Sequence, residues 1–251
     1  MSDFRVYCQA PGPTAGQITL STTESHHLVT VNRARTGDPV VAFDGQGTEW
    51  MTRLQDAHRR SAVLQIESRR EAIRPPCLIT LAQPVPKGSG VMEAIVRHAT
   101  EMGVYRIVPL HTTRTQVHWD DSRTSKKIEK WTATALEAAK QCGNPWLPII
   151  EEPAHFLDSV IPLVTQHDVS LVASLHPGSQ NLHPVAAELA AASPPPQRVV
   201  WWVGPEGDFT VEEIDRLVSQ HSRPVSLGRL VLRCDTAATY ALAVLSAALN
   251  P

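Results

Sequence analysis

Three near-continuous apolar runs, Leu78–Ala82, Val169–Ala173 and Val199–Val203, punctuate the second part of the chain. Runs of this kind belong to strands of a parallel sheet covered on both faces. Between them the apolar spacing switches to the helical period. Met92, Ile95, Val96, Ala99 and Met102 form one such face, with Gly103 placed to stop it. Ile128, Trp131, Ala135, Ala138 and Cys142 form a longer one, closed by Gly143-Asn144-Pro145. Arg106-Ile107-Val108-Pro109 supplies a further strand. Thr210 and Glu213 have the spacing of a capping box, and Val211, Ile214, Leu217 and Val218 follow on one face. The last predicted element, about Thr236 to Leu249, is alanine-rich and uncharged, as a buried helix is. Alternating strands and helices predict an α/β domain with a mostly parallel sheet.

The first part reads differently. Val40-Val41-Ala42-Phe43 and Thr48–Leu54 flank Asp44-Gly45-Gln46-Gly47, a strong hairpin signal. Ser61–Ile66 is another strand, and a short helix fits between residues 24 and 35. The segment predicts a small β-rich barrel or sandwich. Arg74-Pro75-Pro76 breaks any helix or ladder. The domain boundary is therefore expected there, with one domain over 1–74 and a second over 77–251.

Composition narrows the class. The chain has 251 residues, 42% hydrophobic and 19% charged, which excludes long disorder. No apolar run reaches membrane-spanning length, and the start lacks the pattern of a secretory signal, so a cytoplasmic protein without a membrane partner is expected. Cys8, Cys77, Cys142 and Cys234 are far apart, with no zinc spacing, so reduced thiols and no metal are expected. The net charge of -2 is uneven. Residues 1–76 carry nine Lys/Arg against eight Asp/Glu, residues 77–150 nine against six, and residues 151–251 five against eleven. A polyanion would prefer the first 150 residues.

The chemistry-bearing segments follow predicted strands. Val203-Gly204-Pro205-Glu206-Gly207-Asp208-Phe209-Thr210 leaves a buried strand and opens a capped helix, where open α/β sheets bind ligands. A ligand loop and a plain tight turn both call for these residues. Ser226–Thr236 enters the terminal helix with Leu227, Leu230 and Leu232 able to wall an apolar slot. Its arginines, Arg229 and Arg233, suit phosphate or base contact, or simple solvation. Ser174-Leu175-His176-Pro177 ends another strand. Lys87, Arg97, Arg114, Arg123, Lys126, Lys127 and Lys130 form a basic group fit for phosphates or for an exposed helix face. Walker, dinucleotide-binding, nucleophile-elbow and zinc-helix signatures are absent. Trp201-Trp202, inside a continuous apolar strand, are expected to pack against helices rather than stack on bases.

Together these segments carry a resemblance. Phe43-Asp44-Gly45, Lys87-Gly88 with Met92-Glu93, Ala99–Val104, Trp131–Gly143, Leu175-His176-Pro177, Gly204-Pro205-Glu206-Gly207, and Leu227-Gly228 with Leu230, Leu232-Arg233 and Asp235-Thr236-Ala237 occur in one order. In that order they resemble the RsmE-type methyltransferases of the SPOUT class. The likeness spans nearly the whole chain. Departures are Asn144 after Gln-Cys-Gly, Thr30 and Asn32 near His26-His27-Leu28, Asp208 at a common glycine position, and Cys234-Asp235 in place of Thr-Glu.

The resemblance implies a SPOUT-type knotted parallel-sheet domain preceded by a PUA-like barrel. It implies transfer of a methyl group from S-adenosyl-L-methionine to N3 of a uridine in 16S ribosomal RNA, by a cytoplasmic homodimer acting on the small ribosomal subunit. Leu175, His176, Pro177, Gly204, Pro205, Glu206, Gly207, Leu227, Gly228, Leu230, Leu232, Thr236 and Ala237 would bind the cofactor. Arg233, with Arg114 second, would orient the base. Arg33, Lys87, Arg97, Arg123, Lys126, Lys127 and Arg229 would meet RNA. Two alternatives stand beside it: a SPOUT enzyme acting on a ribose 2'-hydroxyl, and a non-catalytic RNA-binding or ribosome-assembly protein.

Overall fold

The computed structural model describes residues 4–12, 14–115, 121–175 and 178–251. The chain divides into two compact units. One takes the residues up to Arg74 together with Leu136–Leu147, and the other takes Pro75–Ala135 and Pro148–Pro251.

In the first unit the strands are β1 (Phe4–Tyr7), β2 (Gln17–Thr19), β3 (Pro39–Phe43), β4 (Thr48–Asp56) and β5 (Val63–Glu71). They form one sheet in the order β1-β3-β4-β5-β2. β1 pairs parallel with β3 and the other pairings are antiparallel. A short helix α1 (Thr22–His26), capped by Ser21, runs into a π-helical turn, His27–Val31. Val6, Leu28, Val40, Trp50, Leu54 and Leu64 fill the core. The β3–β4 turn forms because Asp44 Oδ1 accepts from the Gln46 and Thr48 amides, at 2.7 and 3.0 Å. Its glycines are required by packing as well as by φ. A Cβ on Gly47 (φ +96°) would sit 2.1 Å from the Trp146 ring, and one on Gly45 (φ +72°) would sit 2.6 Å from Leu147 Cδ1.

The second unit contains β6 (Leu78–Pro84), α2 (Val91–Glu101), β7 (Arg106–His111), α3 (Asp121–Cys142, its residues to Ala135), β8 (Ile149–Ile150), β9 (Ala154–His155) and α4 (Phe156–Thr165). It continues through β10 (Val169–Ala173), β11 (Gln180–Asn181), α5 (Leu182–Ala190), β12 (Arg198–Trp202), α6 (Val211–Ser219), β13 (Arg223–Ser226) and α7 (Cys234–Leu249). The sheet order is β11-β13-β10-β12-β6-β7-β8, with β9 also on β7, and its pairings are all parallel.

Strand alternation divides the core. Val199, Trp201 and Val203 join Ile95, Trp131, Val185 and Leu242 on one face. Val200 and Trp202 join Phe156, Val160, Phe209 and Leu217 on the other. Both tryptophans are fully buried, and Trp202 Nε1 donates to Ser170 Oγ at 2.9 Å. They are core residues.

Two sequence expectations change. A contiguous first unit ending at residue 74 omits Leu136–Leu147, which carry Trp146 and Leu147 against the β3–β4 turn. Lys140 in that segment is buried and pairs with Glu24 at 3.0 Å, while the other Glu24 oxygen accepts from the Tyr7 amide. The terminal helix begins two residues earlier than expected, includes Asp235, and is not wholly buried. Ala238, Ala241, Leu242 and Leu245 are covered, whereas Thr236, Tyr240, Ala243 and Ala247 are exposed.

Candidate functional site

β10, β12 and β13 are neighbours in the sheet or one strand apart, and being parallel they end at the same edge. The loops that leave those ends, with Lys87 and Val91 from the β6–α2 connection and the first turn of α7, line a cavity of about 330 Å³. Its position follows from parallel topology, which leaves a crevice outside the carboxyl ends of the strands. Its size is that of a small-molecule pocket.

Each loop owes its shape to local chemistry. After β12, the Asp208 amide donates to the Pro205 carbonyl at 2.9 Å, closing a turn. Asp208 holds a left-handed φ of +60°, a conformation that aspartate tolerates better than most residues, and its Oδ1 accepts from the Phe209 amide at 2.8 Å. Gly204 leaves room for the Asp208 carboxylate. A Cβ there would meet Asp208 Oδ1 at 2.6 Å. The Thr210–Glu213 capping box forms as the sequence predicts, and Glu213 Oε1 also accepts from the Thr113 amide at 2.8 Å. After β13, Gly228 supplies φ +117°, outside the reach of ordinary side chains.

Of the residues expected to hold a cofactor, Leu175, Gly204, Pro205, Glu206, Leu227, Gly228, Leu230, Leu232 and Ala237 line the cavity. Gly207 and Thr236 are absent from its lining. Gly207 instead lies against the Arg114 side chain, its hypothetical Cβ 3.3 Å from Arg114 Cδ. His176 and Pro177 lie outside the described residues. Val91 and Ala173 lay outside the candidate segments, and Ser174, Val203, Asp208, Val231 and Cys234 lay within them without an assigned cofactor contact; all seven are in the lining. For Ala173 and Val203 the signal was position at a strand end, and Val91 opens α2; Asp208 stood in the Val203–Thr210 segment and also among the departures.

The lining is apolar with a few charges. Leu230 and Val231 are three-quarters exposed, an uncommon state for large apolar side chains unless something covers them. Glu206 Oε1 accepts from the Lys87 amide at 2.7 Å. Cys234 is buried, and its thiol is pushed up to about 11, by burial first and then by the Glu206 and Asp235 carboxylates. It is therefore a neutral wall rather than a nucleophile.

The two arginines expected at the reacting base have different surroundings. Arg233 lines the cavity with its side chain 82% exposed and Nε 3.8 Å from Asp235 Oδ1, so its guanidinium projects toward solvent. Arg114 Nη1 donates to the Gly207 carbonyl at 2.6 Å and to that of Phe209 at 3.4 Å. Arg114 thus holds the loop after β12. Among the expected RNA contacts, Lys87, Arg97, Lys126 and Arg229 are exposed and Lys127 is half-buried. Lys130, another member of the basic group, is paired with Glu93 at 2.5 Å. Arg33, exposed at a left-handed φ of +59°, belongs to the first unit, and the Arg123 side chain lies outside the described set. Among the described residues no cluster of three metal-ligating side chains exists, and no helix is long and apolar enough to cross a membrane.

Comparison with known proteins gives the family. Residues 74–246 match the model of an RNA methyltransferase domain, and residues 20–67 match that of an RNA methyltransferase PUA domain. The ribosomal RNA small subunit methyltransferase E of Synechocystis is 34% identical over 93% of this chain and 74% of the relative. That of Bacillus subtilis is 30% identical over 89% and 87%. A chain from Legionella pneumophila, solved in complex with the bound cofactor SAM, superposes with a TM-score of 0.84 at 30% identity, covering 98% of this chain and 97% of that one. With a family model covering more than half its length and a relative 34% identical over 93% of the chain and 74% of its own length, the chain belongs to the ribosomal RNA small subunit methyltransferase E family.

Proposed function

We propose that this protein methylates N3 of a uridine in 16S ribosomal RNA of the small ribosomal subunit, in the cytoplasm, with S-adenosyl-L-methionine as methyl donor. The observation that carries the reading is the cavity of about 330 Å³ built by the loops after β10, β12 and β13 in a chain of this family. The residues present suit that cofactor. Leu227, Leu230 and Leu232 offer apolar surface to a nucleoside, bare backbone at Gly204 and Gly228 permits close approach, and two carboxylates, Glu206 and Asp208, suit a cation.

When bound, the cofactor supplies a methyl group activated by a positive sulfonium. The chain's own residues bind and orient. The loops after β12 and β13 hold the donor in a preformed cleft, so that the target atom is presented in line at near-attack distance. Arg114 keeps the 207–209 carbonyls fixed. Arg233, at the rim, orients the uracil and favours its N3 anion once the proton has left to solvent. Exposed Lys87, Arg97, Lys126 and Arg229, with half-buried Lys127, Arg123 and, from the PUA unit, Arg33, are assigned to RNA phosphates.

The chain is further proposed to pass its C-terminal part through a loop as a trefoil knot and to act as a homodimer. The uncharged exposed face of α7, with Thr236, Tyr240, Ala243 and Ala247, supports the second point. Mass-spectrometric mapping of small-subunit RNA from cells lacking the protein tests the reaction. Loss of one N3-methyluridine that returns on complementation is the expected result. Loss of a ribose-methylated nucleoside would replace this reading with the 2'-hydroxyl alternative, and an unchanged RNA with the non-catalytic one.

A further inference from the structure

Asp208 stands out among the residues around the cavity. It is a charged side chain at the wall of the cleft, in a backbone conformation that strains most residues, and it occupies the space that a side chain on residue 204 would need. Its Oδ1 is fixed by the Phe209 amide, so the carboxylate is held in place rather than free to swing into solvent. Glu206 stands two residues away with its own Oε1 fixed by the Lys87 amide. Both carboxylates belong to the cavity lining, which places two acidic side chains on the loop after β12. Lys87 and Arg233 are the positive lining residues; Lys87 is exposed and Arg233 points largely to solvent.

We propose that Asp208 sets the cleft's preference for a positively charged methyl donor over the uncharged thioether left after transfer. This rests on the reading of the cavity as the methyl-donor site. The physics is Coulombic. Donor and product share their adenosine and amino-acid parts, so apolar contacts and hydrogen bonds to those parts hold both equally. The sulfonium charge is the chief difference, and it vanishes when the methyl group leaves. A fixed carboxylate at the wall stabilises the charged form alone. At separations of several ångströms, in the intermediate dielectric of a pocket rim, one such charge changes the donor-to-product affinity ratio by on the order of tenfold. A preference of this kind lowers product inhibition without loosening the cleft, because selectivity is a difference of affinities.

The test is isothermal calorimetry of the wild type, Asp208→Asn and Asp208→Gly against S-adenosylmethionine, S-adenosylhomocysteine and sinefungin, which carries an ammonium group near the sulfonium position. Asparagine keeps an acceptor for the Phe209 amide and tolerates the left-handed backbone; glycine keeps the backbone alone. Thermal unfolding of each variant confirms that it is folded. Both variants should bind the two cationic ligands about tenfold more weakly, and the thioether within about twofold of wild type. Equal changes for all three ligands, or none, would overturn the role of Asp208. If the wild type binds none of the three, the methyl-donor reading itself fails, which is a different outcome.

Discussion

The main-chain amide of Lys87 donates to Glu206 Oε1 at 2.7 Å, across 119 positions of sequence, and so joins the loop after β6 to the loop after β12. Because the donor is backbone, Lys87→Ala leaves the bond intact, whereas Glu206→Ala removes it along with one of the cleft's charges. Glu206→Ala should weaken S-adenosylmethionine binding by roughly tenfold, the usual consequence of losing a charged hydrogen bond. Lys87→Ala should leave donor affinity nearly unchanged and reduce RNA binding. Calorimetry with the donor and filter binding with RNA fragments separate the two.

Arg233 makes one long ion pair and is otherwise exposed, so its removal should cost little stability. Arg233→Ala is expected to keep its thermal midpoint and its donor affinity, and to lose methylation by about a hundredfold, the scale of one oriented electrostatic group. Wild-type methylation rates in this variant would remove Arg233 from the reaction.

Lys140 and Glu24 have side chains only 6% and 7% exposed, and Lys140 also meets Glu137 at 2.6 Å. Breaking such a pair from one side leaves a buried charge without compensation. Lys140→Met should destabilise the PUA unit by about 3 kcal/mol, and adding Glu24→Gln should recover part of the loss. Urea unfolding followed by tryptophan fluorescence and far-ultraviolet circular dichroism reads it.

His167 accepts or donates to Thr80 Oγ1 at 2.8 Å, and burial holds its imidazole below the ordinary 6.5. His111 shifts the same way, through burial, His155 and Lys127. The unfolded chain therefore takes up protons at a higher pH than the folded one. Stability is full above about 6.5 and falls as the pH drops through that value toward the folded pKa. His167→Gln should flatten the pH dependence of the urea midpoint between pH 7 and about pH 5, the range in which histidine titrates.

Much of this was legible in the residues. The Val199–Val203 run announced a strand covered on both faces, and Trp201 and Trp202 occupy opposite cores. The Thr210–Glu213 spacing announced a cap that forms as read. The segment Leu136–Leu147 could not be assigned from sequence, because the apolar period of α3 continues without a break at Ala135 and nothing local says that the next turn faces another core. The parallel pairing of β1 with β3 was equally hidden, since no alternation pattern encodes the direction of a partner. At the site, Gly204 and Gly228 were visible as bends, but the reason for Gly204 lies in Asp208, four residues on.

β13 lies between β10 and β11, two strands that precede it in the chain. The place between them is filled only by residues 223–226, and the segment Leu227–Ala237 that follows supplies the remaining wall of the cleft. A chain that stops before residue 227 keeps the side of the cleft built after β10 and β12 and lacks the opposite wall from Leu227 to Ala237. Truncation near the C-terminus should thus yield a product that is inert rather than partly active, and no pool of half-made enzyme would compete for the methyl donor.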